Sequence, residues 1–234
     1  MASSEEAGLG SPKDVLSNMS PEARKDVYNK MLVASGPVFV FQESASRPVE
    51  FFVPGKPTQW PALALAKCRE YNEQETDAVF YGSNHFHLVD TTTRRETSIL
   101  QAFLVSLTST HTRLLSHISL SFPALEAVQG RPEALGLQQD GMRSLKLLQD
   151  YCSNLKTLEF YVHNGNAFGL VEEAPSNLQS LHEALSQVDA QLKALSSLKR
   201  IVIRYYHDRP TPGVMQLMQD LEWIVLMGDK EVPR

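Results

Sequence analysis

The apolar residues of segment 21–33 recur at intervals of three and four, which is the spacing of one face of an α-helix. They are Ala23, Val27, Tyr28, Met31 and Leu32. Pro21 suits the first turn of such a helix, because the amide hydrogen that proline lacks would have no partner there. The pattern predicts an amphipathic helix whose apolar stripe either packs on the protein's own core or is left to bind a partner helix. Burial in the core is the more common use of such a stripe.

Further helices follow from the same periodicity. Spacings of three and four predict one helix over 61–82, with a glycine at its end. A capping-box spacing at 93–96 predicts a helix start, since Thr and Glu three residues apart can each cap the other's backbone amide. The most regular pattern, over 178–195, predicts a long helix that begins with a second capping box at 176–179. A last helix is predicted over 211–225.

Short runs of β-branched and aromatic residues predict strands between these helices. Segment 36–42 is expected to be a strand, and segment 49–55 is expected to be its hairpin partner or a loop edge. Segment 84–90 is a further predicted strand, with Phe86 and Leu88 on the same face.

Three later segments resemble one another: LLSHISLSF from Leu114, NLKTLEFYV from Asn154 and SLKRIVIRY from Ser197. Their equivalent positions recur after 40 and then 43 residues, with a helix expected between segments, which favours parallel strands joined by right-handed crossovers. This interval exceeds the roughly 20 to 29 residues of a leucine-rich repeat, so the repeats would be enlarged and degenerate. Residues 123–141 are predicted to form a surface loop with room for one helical turn. The aligned apolar positions are Leu115, Leu155 and Leu198, then Ile118, Leu158 and Ile201, then Leu120, Phe160 and Ile203.

Side chains alternate across a strand, so these apolar positions would face inward and the positions between them outward. Neighbouring strands would place Tyr161 near Arg204, with Tyr206 and His163 at the same end. Tyr and Arg commonly anchor protein interfaces, because they combine a wide contact area with hydrogen bonding. This face is therefore either a partner-binding surface or an ordinary solvated sheet face. Its outward residues are Ser119, Ser121, Glu159, Tyr161, Val202, Arg204 and Tyr206.

Composition narrows the class of protein. The chain has 234 residues, 42% of them hydrophobic, which is enough for a substantial core in one or two domains. Its net charge of -5 provides no general positive field, so neither nucleic acid nor a membrane surface is an expected partner. No segment resembles a signal peptide or a membrane span, and two cysteines do not suggest a disulfide framework. We expect a cytoplasmic or nuclear protein whose residues 1–17 are disordered.

Motifs with dedicated chemistry are missing from the sequence, which holds no Gly-x-Ser-x-Gly elbow, phosphate-binding loop or dinucleotide fingerprint. His85 and His87 would point to the same side of a strand. Because no further ligand with metal-site spacing follows, both are expected to be surface histidines, and no metal or other cofactor is expected. An enzyme site assembled from distant residues stays open, since catalytic groups are defined by geometry. It could draw on Asp77, Asp90, His163 and Asp208.

Two blocks of the sequence resemble an F-box-like family that is found in many fungal proteins. MSPEARKDVYNKMLV, from Met19, is similar to the start of that family's motif, and ALALAKCREYNEQETDAVFYGSNHFHL, from Ala62, is similar to its second block. The strand segments from Leu114 and Cys152 also resemble the family's strand blocks, so the resemblance extends over most of residues 20–226. The matching residues of the two blocks are Pro21, Glu22, Arg24, Tyr28 and Leu32, then Cys68, Arg69, Glu75, Phe80, Tyr81, Gly82, Asn84 and Phe86.

The resemblance implies a protein-interaction role without catalysis. F-box proteins bind a Skp-type adaptor through their N-terminal helices and offer a repeat-like surface to a substrate of a cullin ubiquitin ligase. For this chain, the resemblance implies that the first helix contacts the adaptor and that the outward sheet face contacts the substrate. The expected contact residues are Pro21, Glu22, Val27 and Met31 on the helix, and Glu159, Tyr161, His163, Arg204 and Tyr206 on the sheet.

The expected fold class is therefore α/β. An F-box-like helical and hairpin portion over 18–92 would precede a leucine-rich-repeat-like portion over 93–228, with a short parallel sheet and packed helices, and the two portions would pack as one unit. Two alternatives to an F-box-like receptor are an enzyme whose site the sequence does not reveal and a scaffold unrelated to ubiquitin.

Overall fold

The structure, a computed structural model, describes residues 16–90, 95–129, 131–163, 169–171, 178–228 and 230–231, with the backbone alone at 131–133 and 230–231. The strands are β1 (Val38–Phe41), β2 (Glu50–Phe52), β3 (His85–Leu88), β4 (His117–Ser121), β5 (Leu125–Val128), β6 (Arg131–Leu137), β7 (Thr157–Val162), β8 (Arg200–Tyr205), β9 (Ile224–Met227) and β10 (Lys230–Glu231). The helices are α1 (Pro21–Leu32), α2 (Trp60–Arg69), α3 (Glu73–Ser83), α4 (Glu96–Ser106), α5 (Ser109–Leu114), α6 (Gln139–Tyr151), α7 (Leu178–Lys193) and α8 (Pro212–Asp220).

Eight strands form one mixed sheet in the order β10-β9-β8-β7-β4-β3-β1-β2. The six inner strands are parallel, while β2 and β10 pair antiparallel with their neighbours at the two edges. From β1 to β9 the chain adds each parallel strand on the same side of the one before. Right-handed crossovers in a constant direction place every connecting helix on the same face of a sheet. The buried side chains of the helices accordingly share one core cluster with the inward side chains of the strands.

The three similar segments are adjacent parallel strands, as predicted. Ile118 pairs with Leu158, which pairs with Ile201. Two residues further along the strands, Leu120 pairs with Phe160, which pairs with Ile203. The sheet also continues across the boundary predicted near residue 92, because β3 pairs in parallel with β4. The predicted N-terminal portion and the repeat-like portion therefore contribute to one sheet. Residues 1–15 of the segment predicted to be disordered lie outside the described residues.

Two helix predictions are wrong in their extent. The helix predicted over 61–82 is two helices, α2 and α3, because the Asn72 side chain accepts a hydrogen bond from the Glu75 amide and starts a new helix. The helix predicted over 211–225 ends at Asp220, and Ile224 and Val225 belong to β9. The β-branched residues there gain a ladder of backbone hydrogen bonds by pairing with β8.

The loop predicted over 123–141 is wrong as well, because β5 and β6 form an antiparallel hairpin and β6 contacts α7. The helix start predicted at 93–96 is displaced, since α4 begins at Glu96 and has Arg95 at its N-cap. The Glu96 carboxylate instead accepts the amide hydrogen of Ser121. Residues 93 and 176, the N-cap positions of the two predicted boxes, lie outside the described residues.

The first helix packs mainly through Tyr28 and Leu32, which are fully buried. The Arg24 guanidinium binds both carboxylate oxygens of Glu75 on α3, at 2.9 and 2.7 Å. Asn84, at the end of α3, is buried; its side chain donates to the carbonyls of Leu32 and Phe80 and accepts from an amide just past α1. Many of the residues that carry the family resemblance thus hold α1 against α3.

Both cysteines are free and buried, which agrees with the absence of a disulfide framework. In the part of the chain that the structure describes, no helix combines the length and hydrophobicity needed to cross a bilayer.

Candidate functional site

The face of the main sheet that points away from the helices is the candidate site, and we call it the open face. Val202 and Tyr161 are buried on this face, yet they lie outside the core cluster that the helices share. Strand pairing sets the open face out in three rows across the sheet. The rows are His85, His117 and Thr157, then Phe39, His87, Ser119, Glu159 and Val202, then Ser121, Tyr161 and Arg204.

The interpretation of this surface as a solvated sheet face is wrong at its centre. Ser119 is 0% exposed and Glu159 is 4% exposed, because the larger side chains of neighbouring strands close over them. Exposure rises at the carboxyl ends of the strands, where Tyr206 is 50% exposed and His163 is also exposed. Exposed aromatic and histidine side chains therefore lie at this end.

An ion pair lies at the centre of the open face. Arg204 donates a hydrogen bond from Nε to Glu159 Oε1, and a second one to the backbone carbonyl of Gly228. Burial by itself would raise the pKa of Glu159, but the nearby His117 and Arg204 outweigh it and lower that pKa to about 2. Glu159 is therefore a carboxylate at neutral pH, and its charge is compensated within the protein.

The histidines form a cluster beside this ion pair. The rings of His85 and His117 are stacked, with centroids 3.7 Å apart and planes 1° from parallel. His85 Nε2 lies 2.6 Å from Ser119 Oγ, and His87 Nδ1 lies 3.0 Å from the same oxygen. Burial, with a smaller effect of His117, lowers the pKa of His85 to about 3, and burial lowers that of His87 to about 4. Both rings are neutral at pH 7, and both are partly buried rather than exposed as expected.

The contact between Ser119 and His85 has the geometry of a nucleophile and its base, but it does not support hydrolysis. Ser119 has no exposed surface on which a substrate could lie. A histidine with a pKa near 3 is also a poor base at neutral pH. The Ser119 hydroxyl can donate its hydrogen to one histidine and accept a hydrogen bond from the other. We therefore interpret these contacts as fixing the side-chain positions within the sheet.

A cleft of about 390 Å³ lies at the carboxyl ends of the strands. The Glu96 carboxylate in its wall accepts the Ser121 amide with both oxygens at 2.8 Å, and burial raises the pKa of Glu96 to about 8. Burial also raises the pKa of Tyr161 well above its ordinary value, and the Tyr161 ring stacks on that of Tyr206 at 5.4 Å. The lining includes Phe39, His87, Glu96, Tyr161, His163 and Tyr206.

The scattered enzyme set considered from the sequence does not meet in one place. Asp90 and His163 both line this cleft. Asp77 instead pairs with Arg69 and His111, each at 2.7 Å, on the helix side of the sheet. Asp208 is exposed beyond β8.

The predicted contact residues of α1 fall into two groups. Pro21, Glu22 and Met31 are exposed, whereas Val27 is half-buried. A second cleft, of about 670 Å³, runs beside α1 and includes Pro21 in its wall. The apolar stripe of α1 thus serves mainly the protein's own core, and a narrow strip of its surface is left for a partner.

The sequence pattern placed seven residues on this face, Ser119 among them, but it missed His117 and did not predict the contacts of Ser119 with His85 and His87. The signal that could have found this cluster is the strand repeat itself, since the register that aligns Ile118 with Leu158 also places Ser119 opposite Glu159 and His117 on the same face, opposite Thr157. No protein-family model, curated protein or solved structure matches the chain significantly.

Proposed function

We propose that this protein is a non-catalytic interaction module that binds a partner protein at the carboxyl end of its open face. The observation that carries the proposal is the stacked pair of Tyr161 and Tyr206, of which Tyr206 is half exposed beside a cleft. Aromatic side chains that are rigid on one side and exposed on the other are typical anchors of protein interfaces.

The roles of the predicted open-face residues differ. Arg204 and Glu159 form an ion pair with each other, so their role is to stabilise the structure of the face and not to contact a partner. Tyr206 and His163 are exposed and supply contact area, with Tyr161 as the base on which Tyr206 rests. Phe52, at the β2 edge of the sheet, adds a further exposed aromatic ring.

We further propose an F-box-like substrate receptor as the biological setting. In this setting α1 contacts a Skp-type adaptor through Pro21, Glu22 and Met31, and the open face holds a substrate of a cullin ubiquitin ligase. The two buried free thiols fit a reducing compartment, so we place the protein in the cytoplasm or nucleus.

A pull-down with a purified Skp-type adaptor tests the role of α1. Met31→Asp puts a charge on the exposed strip of the helix and is expected to abolish adaptor binding. Val105→Asp, at a residue of α4 that is 68% exposed, is the matched control and is expected to bind like wild type. Full adaptor binding by a folded Met31→Asp variant would exclude α1 as the docking element.

The open face is tested separately. Immobilised wild type and Val105→Asp are expected to retain the same protein from a cell extract, whereas Tyr206→Ser loses it. The retained protein is then purified, and its affinity for wild type and Tyr206→Ser is measured by calorimetry. Equal affinities would place the interface elsewhere on the molecule.

A second candidate function is acid–base catalysis in the 390 Å³ cleft. It is favoured by Glu96, which stays protonated up to a pH of about 8 and so could donate a proton. A panel of chromogenic esters, phosphates and glycosides would test it. Any turnover must be lost in Glu96→Gln and kept in Glu126→Gln, which alters an exposed glutamate of β5.

A further inference from the structure

The three donor groups of His85, His117 and Glu159 converge on the open face, and no role above uses them together. They come from three consecutive neighbours in the sheet, β3, β4 and β7, which are joined by backbone hydrogen bonds. One ligand atom of each residue lies within 4.8 Å of the other two. A ligand set held on adjacent strands is more rigid than one held on loops.

The buried nitrogen of His117 is the observation that calls for a ligand. His117 Nε2 is shielded from solvent and has no hydrogen-bond partner among the described residues. It lies 3.6 Å from Glu159 Oε2, which is beyond hydrogen-bond length but within ion-pair distance. Two ligand atoms of one tetrahedral zinc ion are separated by about 3.3 Å, since each bond measures about 2.0 to 2.1 Å. The observed spacing is therefore close to that of a metal site.

We propose that His85, His117 and Glu159 form a binding site for a divalent transition-metal ion of the Zn²⁺ class. Two imidazole nitrogens with one carboxylate oxygen suit Zn²⁺, Co²⁺ or Ni²⁺ and do not suit Mg²⁺ or Ca²⁺, which prefer oxygen ligands. Three protein ligands leave one position of a tetrahedral ion for water. The ion would link three strands on the open face, so binding stabilises the folded chain.

The surroundings of the site favour binding in one respect and oppose it in two. Arg204 binds Oε1 of Glu159, so the other carboxylate oxygen, Oε2, is the one that lies beside His117. Against this, the rings of His85 and His117 are parallel and must tilt for their lone pairs to meet. Arg204, which holds the other oxygen of Glu159, also places a positive charge near the ion.

Metal titration of the full chain, first freed of metal with a chelator, tests the proposal. CoCl₂ is expected to produce saturable visible absorption bands at one ion per chain, and ZnCl₂ is expected to displace Co²⁺ and raise the unfolding temperature. MgCl₂ is expected to do neither. Absence of saturable Co²⁺ and Zn²⁺ binding by the wild-type chain would overturn the proposal.

Matched variants locate the site. His117→Gln and His85→Gln are each expected to weaken Zn²⁺ binding by more than about tenfold, the scale of losses seen at metal sites. His87→Gln is the control, because His87 touches the same serine but is outside the donor set, and it should bind like wild type. Circular dichroism without metal confirms that each variant is folded. Wild-type affinity in both folded variants, or an equal loss in His87→Gln, would overturn the assignment.

Discussion

The two faces of the sheet are built by the same strands and are both largely buried at their centre, yet they are different environments. On the helix side, Phe86 and Phe160 lose apolar surface to a shared core, which is the main driving force for folding. On the open face, burial removes water from Glu159 and the histidines, which must then find partners or change their protonation. Burial on the helix side mainly removes apolar surface from water, whereas on the open face it removes water from groups that can be charged at neutral pH.

The largest expected effect separates these two faces at neighbouring positions of β3. Phe86→Ala is expected to lower the free energy of unfolding by about 3 to 5 kcal/mol, because it leaves a cavity among Phe51, Phe80 and Phe103. His87→Ala, on the open face, is expected to cost about 1 kcal/mol. Urea denaturation measures both values, and equal losses would show that the open face contributes to stability as a core does.

A polar group on the helix side sharpens the comparison. Asn84→Ala is expected to cost about 2 to 3 kcal/mol, because it leaves the carbonyls of Leu32 and Phe80 without their buried donor. The control is Asn154→Ala, at an exposed residue, with an expected change below about 0.5 kcal/mol. If the two variants unfold at the same urea concentration, the Asn84 bonds do not hold α1 to α3.

Glu96 extends the comparison to pH. Its raised pKa means that the folded state binds the proton more tightly than the unfolded state, so its contribution to stability is full below pH 4.5 and is lost as pH rises through about 8. Glu96→Gln removes this dependence. Across this range, the unfolding free energy of the variant is expected to rise by about 1 to 2 kcal/mol relative to that of wild type. This change is smaller than the pKa change alone implies, because the cleft admits solvent.

Taking the difference between variant and wild type cancels the histidines of the open face, whose lowered pKa values act in the opposite direction. Chemical denaturation at a series of pH values gives this difference directly. A difference that stays constant with pH would mean that Glu96 titrates at its ordinary pKa.

The smallest expected effect on stability is at Tyr206. Because its ring is half exposed, Tyr206→Ala is expected to cost less than about 1 kcal/mol, while it removes the proposed partner contact. Thermal unfolding measures the first expectation and calorimetry with the partner measures the second. A large loss of stability would make Tyr206 part of the packing and weaken the case for an interface.

Local patterns in the sequence predicted much of the helix side of the fold. The period of α7 marked its buried face, that of α1 included the buried Tyr28 and Leu32, and the repeated strand segments gave the correct register of β4, β7 and β8. The break between α2 and α3 was missed, because a single Asn72 cap outweighed a continuous helical period. The hairpin of β5 and β6 was missed because the Gly, Pro and Gln residues of this segment are typical of loops. The contact of β6 with α7 is a tertiary contact that composition does not reveal.

The sequence predicted which residues share the open face, but it did not predict their burial or their pairing. Alternation along β7 and β8 placed Glu159, Tyr161 and Arg204 on one face, and the structure brings them together there. Their burial and pairing depend on side chains from other strands, and no local pattern contains that information. The same is true of Glu96, whose spacing from residue 93 suggested a helix cap but whose carboxylate binds Ser121 across the fold.

The sequence by itself determined which residues form most of the helices and strands and which side of each strand is apolar, because periodicity acts over a few neighbouring residues. The tertiary structure alone decided that His85, His117 and Glu159 meet, that Arg204 is already paired and that Tyr206 stays exposed. These outcomes depend on contacts between neighbouring strands whose residues lie 32 to 45 positions apart in the sequence, and these contacts form only when the strands align in the sheet.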